Sequence, residues 1–269
     1  MPPRFDIALC LTGCAAVSAV WAACAPRKLS AGAFVFKPSD WILLAMLACA
    51  VLLGCIQASA LAKKMFADDG CAQMFFYAAA YQAMLFAAVV FFRRFCVARV
   101  DFGFKPGLRA LAAGAAWALP SFLILAAISA AVSFLTQYFT GGLPRPQYII
   151  LQLKNCGSPA VLAVAVFSIV VFAPVCEELL FRGLIYRTAK GFFAENSAAG
   201  ARFAAVLTAA IFALAHGSAF AFVQLWAVSL ILTSLYERSG NIFSCMVCHG
   251  AFNALNVACI VFLPANEYI

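Results

Sequence analysis

Residues 160–186 read AVLAVAVFSIVVFAPVCEELLFRGLIY, and this stretch decides the fold. From Ala160 to Cys176 it carries no charge; Glu177, Glu178 and Arg182 then follow inside the same apolar run, which continues through Leu184, Ile185 and Tyr186. A helix rises about 1.5 Å per residue, so a run of this length reaches across a hydrocarbon core about 30 Å thick. An ionisable group within such a span costs roughly 2.5–3.5 kcal/mol on insertion scales, so each of the three needs a chemical reason. The stretch therefore reads as a membrane helix with a polar cluster at mid-depth.

The rest of the chain agrees. Of its 269 residues 66% are hydrophobic and only 10% charged, with a mean hydropathy of +1.00, whereas a soluble domain carries about 25% charged residues. Such a chain cannot cover its own surface with polar groups, and its natural solvent is a bilayer. Apolar segments recur near 7–24, 41–62, 74–92, 110–136, 160–186, 202–216, 219–236 and 241–263. The expected fold is all-α: a polytopic membrane protein of about eight transmembrane helices enclosing a polar intramembrane cavity. Without internal repeats, it divides only into an N-terminal part, 1–159, and a core, 160–263, of one integrated domain. Pro120 and Pro174 fall inside spans, where a kink is tolerated if neighbouring groups satisfy the freed carbonyl. The segment 137–159, with Gly141, Gly142, Pro144, Arg145 and Pro146, reads as the longest irregular connection.

The net charge of +8 is not a nucleic-acid signal, because basic residues of membrane proteins collect in cytoplasmic connections. Thirteen of the 18 Lys and Arg follow spans 1, 3, 5 and 7 when Arg182, inside span 5, is counted with them, among them Arg27, Lys28, Arg93, Arg94, Arg187 and Lys190. Arg4, Lys63, Lys64, Arg145 and Lys154 fall opposite. This bias places both termini outside the cytoplasm. Most of the 12 cysteines sit in apolar runs, as Cys49, Cys55, Cys176 and Cys259 do, where a thiol is a small hydrophobe and no bridge is implied. Leu11-Thr12-Gly13-Cys14 resembles a lipobox, but its apolar lead is short and Asp6 stands where a signal segment is positive. A first span that is retained is the expectation.

Ionisable residues within the spans are few: Glu177, Glu178, Arg182, His216 and His249, the last two being the chain's only histidines. Counted from the basic or polar ends of their helices, Glu177, His216, His249 and Asn253 lie about 12–21 Å deep, near mid-membrane. Convergence on one buried cavity follows. Glu178 and Arg182, four apart, share a helix face and read first as a structural ion pair. Glu177 is rotated about 100° from Glu178 and can face a cavity. His249 and Asn253 also share a face, as do Phe212 and His216. Hydrolysis suits this set: a carboxylate in a low-dielectric cavity activates water, and His and Asn N–H groups stabilise an oxyanion.

These residues resemble a known family. Glu177-Glu178-Leu-Leu-Phe-Arg182 matches the EExxxR motif of the CPBP (CAAX protease and bacteriocin-processing, or abortive-infection-like) intramembrane proteases. Phe212-Ala-Leu-Ala-His216 matches FxxxH, and His249-Gly-Ala-Phe-Asn253 matches HxxxN. Leu235–Asn241 is similar to the family's helix-end turn, while Phe222–Tyr236 holds less glycine than the family pattern. The resemblance covers roughly 160–262. It implies an eight-helix membrane endopeptidase of a bacterial-type inner membrane, its cavity facing the cytoplasm. It further implies Glu177 as water-activating base assisted by His216, an oxyanion site of His249 and Asn253, and support from Glu178 and Arg182. The partners would be the lipid bilayer and a membrane-associated peptide or protein, such as one prenylated at a CAAX tail or carrying a leader peptide.

Two cofactor readings remain beside this. Glu177, His216 and His249 are the candidate ligands of a His₂Glu zinc site with an open position, though no obligatory metal is expected. Cys245-Met-Val-Cys248-His249 matches the haem-attachment pattern CxxCH, but in an apolar helix it reads as a coincidence. The rival functions are a proton- or ion-coupled transporter, since Glu and His relay protons in membranes, and a non-catalytic immunity or scaffold protein.

Overall fold

The computed structural model describes residues 3–24, 36–96, 101–142, 148–193 and 197–262. Arg27, Lys28, Pro144, Arg145 and Pro146 lie outside the described residues. The described residues are 87% helical, with no strand among them. The long helices are α1 (Pro3–Cys24), α2 (Pro38–Met65), α3 (Gly70–Phe95), α4 (Leu108–Thr140), α6 (Pro159–Phe193), α7 (Ala198–Ala215), α8 (Phe222–Ser239) and α9 (Ile242–Phe262); α5 (Tyr148–Lys154) is short. This is the polytopic all-α membrane fold that the apolar spans imply. Their starts have local causes: Asp69, Ser158 and Ser197 accept from the backbone N–H of Ala72, Val161 and Gly200, and Pro38 and Pro159 occupy first-turn positions that lack a partner anyway.

Six of the eight long helices (α2, α3, α4, α6, α7 and α9) are long and apolar enough to cross a membrane by length and composition alone. Helix α8 is different because it is interior. It packs along α1, α4, α7 and α9, and Ala227–Glu237 is buried at every position except Ile231. A helix that neighbours shield from lipid can carry Ser229, Thr233, Ser234 and Glu237. Helix α2 packs along α3 and turns Ile42, Met46, Leu52, Leu53 and Ile56 outward, as a lipid-facing helix should.

Two expectations need correction. Helix α6 runs to Phe193, beyond the expected end at 186, so Arg187 and Lys190 are not in a loop; they lie within the helix and are buried. Lys190 is buried against a counter-charge: Glu237 of α8 accepts hydrogen bonds from Lys190 Nζ and Tyr186 OH, each 2.6 Å long. The 137–159 connection is also less irregular than expected: α4 continues to Thr140 and α5 occupies 148–154.

Small residues and indole rings set the packing. A Cβ on Gly114 would stand 2.6 Å from the Ser244 carbonyl oxygen, so α4 and α9 approach this closely only because the position is glycine. Helix α1 is joined to α8 by crossed bonds. Trp21 Nε1 donates to Ser234 Oγ at 2.7 Å and to the Leu230 carbonyl at 3.0 Å, and Trp226 Nε1 donates to Ser18 Oγ at 2.9 Å. In the lipobox-like stretch, Cys14 is buried against Val132 and Val223.

Candidate active site

The site is built around a carboxylate pair at the centre of α6. Glu178 and Arg182 are fully buried one turn apart, with Arg182 Nη1 2.9 Å from Glu178 Oε1. Arg182 Nη2 donates to both the carbonyl and the hydroxyl of Ser229 on α8, at 3.1 Å each. The guanidinium also lies 5.1 Å over the Phe212 ring, a cation–π contact that strengthens as water is excluded. Phe212 extends the same packing to both histidines, its centroid 4.6 Å from that of His216 and 6.3 Å from that of His249. The aromatic of the FxxxH motif is therefore a wall between the ion pair and the imidazoles.

Glu178 has a second role that helical spacing does not reveal. Its Oε1 lies 2.9 Å from Nδ1 of His249 on α9. A carboxylate only accepts, so Nδ1 of His249 is the donor. His216 is fixed in the same sense: its Nδ1 is 2.8 Å from the Phe212 carbonyl oxygen, again an acceptor only. In both neutral rings Nε2 is left with a lone pair. Both Nε2 atoms point at Glu177, whose Oε2 is 3.8 Å from His216 and 3.9 Å from His249. That oxygen is buried without a hydrogen-bond partner. Three acceptors thus converge on a space that needs a donor, and a water molecule with its two hydrogens meets the need. Side-chain exposure is 32% for His216, 13% for Glu177 and 6% for His249, so the space is reached past His216.

One residue of the cluster was not foreseen. Gln82 of α3 is buried, and its Nε2 donates to Glu177 Oε1 at 3.4 Å. The thiol of Cys176 donates to the Gln82 carbonyl at 3.3 Å, holding α3 against α6 beside the carboxylate. A signal was available: Gln82 is the only amide in the apolar run 74–92. A search restricted to ionisable residues passes over it.

Asn253 has a partner on α6 as well. Its Nδ2 donates to the Ile169 carbonyl at 2.9 Å. That carbonyl is free for a local reason. Residues Ser168–Phe172 form a π-helical turn, in which Ala173 N–H bonds Ser168 O five residues back. The next donor in this register would be residue 174, which is Pro174 and has no N–H. Asn253 supplies the missing donor. Next to it, a Cβ on Gly250 would lie 2.6 Å from the Val170 carbonyl oxygen, so glycine lets α9 reach the broken segment. The amide keeps a second N–H beyond the Ile169 bond.

The donor set at Glu177, His216 and His249 is of the kind a divalent zinc ion takes. Among the described residues, however, no three His, Cys, Asp or Glu side chains stand in an arrangement that would hold a metal ion. The thiols of the haem-like motif face protein: Cys245 donates to the Leu232 carbonyl at 3.5 Å and Cys248 lies 4.0 Å from Ser121 Oγ, both buried.

Residues 159–255 match the family model described as type II CAAX prenyl endopeptidase Rce1-like. The matched segment holds all three motifs and excludes Gln82. No curated protein and no solved structure matches the chain. The match agrees with the resemblance read from the motifs.

Proposed function

From the kinship of residues 159–255 to the CAAX prenyl endopeptidases, we propose that the protein is an intramembrane endopeptidase. It hydrolyses peptide bonds of membrane-associated substrates by a water that Glu177 activates. The observation that carries this reading is the buried, unpartnered Oε2 of Glu177 facing two imidazoles whose Nδ1 atoms are already committed. A water held there donates to Glu177 and to one Nε2. As its oxygen attacks the scissile carbonyl carbon, its proton passes to Glu177. The tetrahedral intermediate then expels the amine, which takes that proton as the C–N bond breaks.

His249 has one condition on its part. With Nδ1–H given to Glu178, it offers an N–H to the oxyanion only when Nε2 is protonated. The Glu178 carboxylate at 2.9 Å stabilises that imidazolium. Glu178 thus acts through His249 and is more than the partner of Arg182. His216, the more exposed ring, receives or returns a proton at the entrance, and the remaining Asn253 N–H is the second candidate donor to the oxyanion. The Lys and Arg bias orients both termini outside the cytoplasm, in a bacterial-type inner membrane.

The test compares purified wild type with Glu177→Gln on detergent-solubilised membrane proteins, reading new peptide termini by mass spectrometry. Removing a general base costs roughly 10²–10⁴-fold, so termini should form with wild type and vanish with the variant, both melting at the same temperature. Identical termini from two folded proteins would sink the reading in favour of a scaffold or a transporter.

A further inference from the structure

An intramembrane carboxylate is useful as a base only if one oxygen keeps facing the reacting water. Among the described residues of 159–255 none does this for Glu177: His216 and His249 face its Oε2, and Glu178 and Arg182 are engaged with each other, with His249 and with Ser229. The other oxygen, Oε1, is held from α3 by Gln82, a residue outside the family-matched segment. We infer that Gln82 is a positioning residue for Glu177, fixing the rotation of its carboxylate so that Oε2 stays turned toward the two imidazoles.

The chemistry at Gln82 fixes the sense of the contact. A carboxylate offers no donor, so the amide nitrogen must face it and the amide oxygen must face away. That oxygen, Gln82 Oε1, is buried and has no partner. An amide that served packing alone would satisfy its oxygen or be replaced by leucine, which fits an apolar span without an orphaned acceptor. The backbone at this position is anchored as well, through the Cys176 thiol on the Gln82 carbonyl, so α3 is fixed in register with the residue preceding Glu177. Gln73, earlier on the same helix, makes the opposite case: its Nε2 donates to the carbonyls of Phe66 and Ala67 at the start of α3, far in sequence from any motif.

The inference rests on the protease reading above, and the experiment separates the two. Wild type, Gln82→Leu, Gln82→Met and Gln73→Leu are purified at full length in detergent and assayed on a peptide bearing a cleavage site mapped with wild type. The contact is at the long end of hydrogen-bond geometry, so loss of Gln82 should lower kcat by about 5–20-fold and leave KM within about twofold. Gln73→Leu should leave kcat unchanged. A melting-temperature cycle of Gln82→Leu, Glu177→Leu and the double variant should be non-additive, since the two side chains touch. If wild type cleaves while Gln82→Leu keeps its kcat, the positioning role is overturned and the protease reading stands. The role is equally overturned if Gln73→Leu loses as much, if KM alone moves, or if the cycle is additive. A wild type that cleaves nothing overturns the protease reading and the catalytic part of this inference together, and the cycle then reports the contact by itself.

Discussion

Two buried ionic clusters lie along α6, and they are finished to different degrees. Near its C-terminal end, Glu237 accepts from Lys190 and Tyr186, and among the described residues none of the fully buried side-chain nitrogen or oxygen atoms of the three lacks a partner. At its centre, Glu177, Glu178 and Arg182 with Gln82 leave four side-chain atoms buried and unpartnered: Glu177 Oε2, Glu178 Oε2, Arg182 Nε and Gln82 Oε1. Burying such atoms is costly and is avoided in structural networks. A closed cluster fixes one helix on another. An open one keeps capacity for molecules that come and go.

The largest expected effect breaks both clusters in parallel. Glu178→Leu removes the buried counter-charge of Arg182 and should cost about 3–5 kcal/mol, and Glu237→Leu should cost about 3 kcal/mol by removing the carboxylate that Lys190 and Tyr186 share. Joint removal, as Glu178→Leu with Arg182→Leu or Glu237→Leu with Lys190→Met, should restore most of the melting temperature in either case. Only the second pair should also restore cleavage per folded molecule, because His249 still has Glu178. Equal recovery of activity in both would erase the distinction between the clusters.

A smaller effect sharpens it. Gly250→Ala places a methyl against the Val170 carbonyl and should cost about 1–3 kcal/mol by overpacking. It should also separate His249 from Glu178 and depress kcat beyond what the stability loss explains. A variant that melts lower but turns over normally would show that α9 moves as a rigid unit with α6. The smallest effect concerns the broken helix: Asn253→Ala orphans the Ile169 carbonyl at about 1–2 kcal/mol. Adding Pro174→Ala returns a backbone N–H to that carbonyl, so the double variant should melt above Asn253→Ala alone. If the proline change gives no recovery in that background, Asn253 is not the substitute for the missing donor.

Much of this was legible beforehand. The spans follow from apolar runs, whose length is fixed by the bilayer. The polar residues within them are conspicuous because hydrocarbon tolerates so few. The Glu178–Arg182 pair follows from helical spacing. The bond from Glu178 to His249 was not legible, since the two residues are 71 apart in sequence and the choice among partners depends on how α6 and α9 are staggered. Gln82 was missed because a neutral amide is a weaker signal than a charge. Lys190 reads as a loop residue in the sequence because the counter-charge it is buried against, Glu237, lies on another helix.

The sequence by itself determined that the chain is a bundle of membrane helices with one polar layer. Those conclusions depend on periodicity, length and the cost of charge in hydrocarbon, all properties of a local segment. Tertiary structure alone decided which oxygen of Glu177 is free, which nitrogen of each histidine carries its proton, and that α3 reaches into the site. Each of these is set by a partner on another helix within hydrogen-bond range. Such contacts depend on the stagger and rotation of packed helices to within about an ångström, a quantity that no single segment encodes.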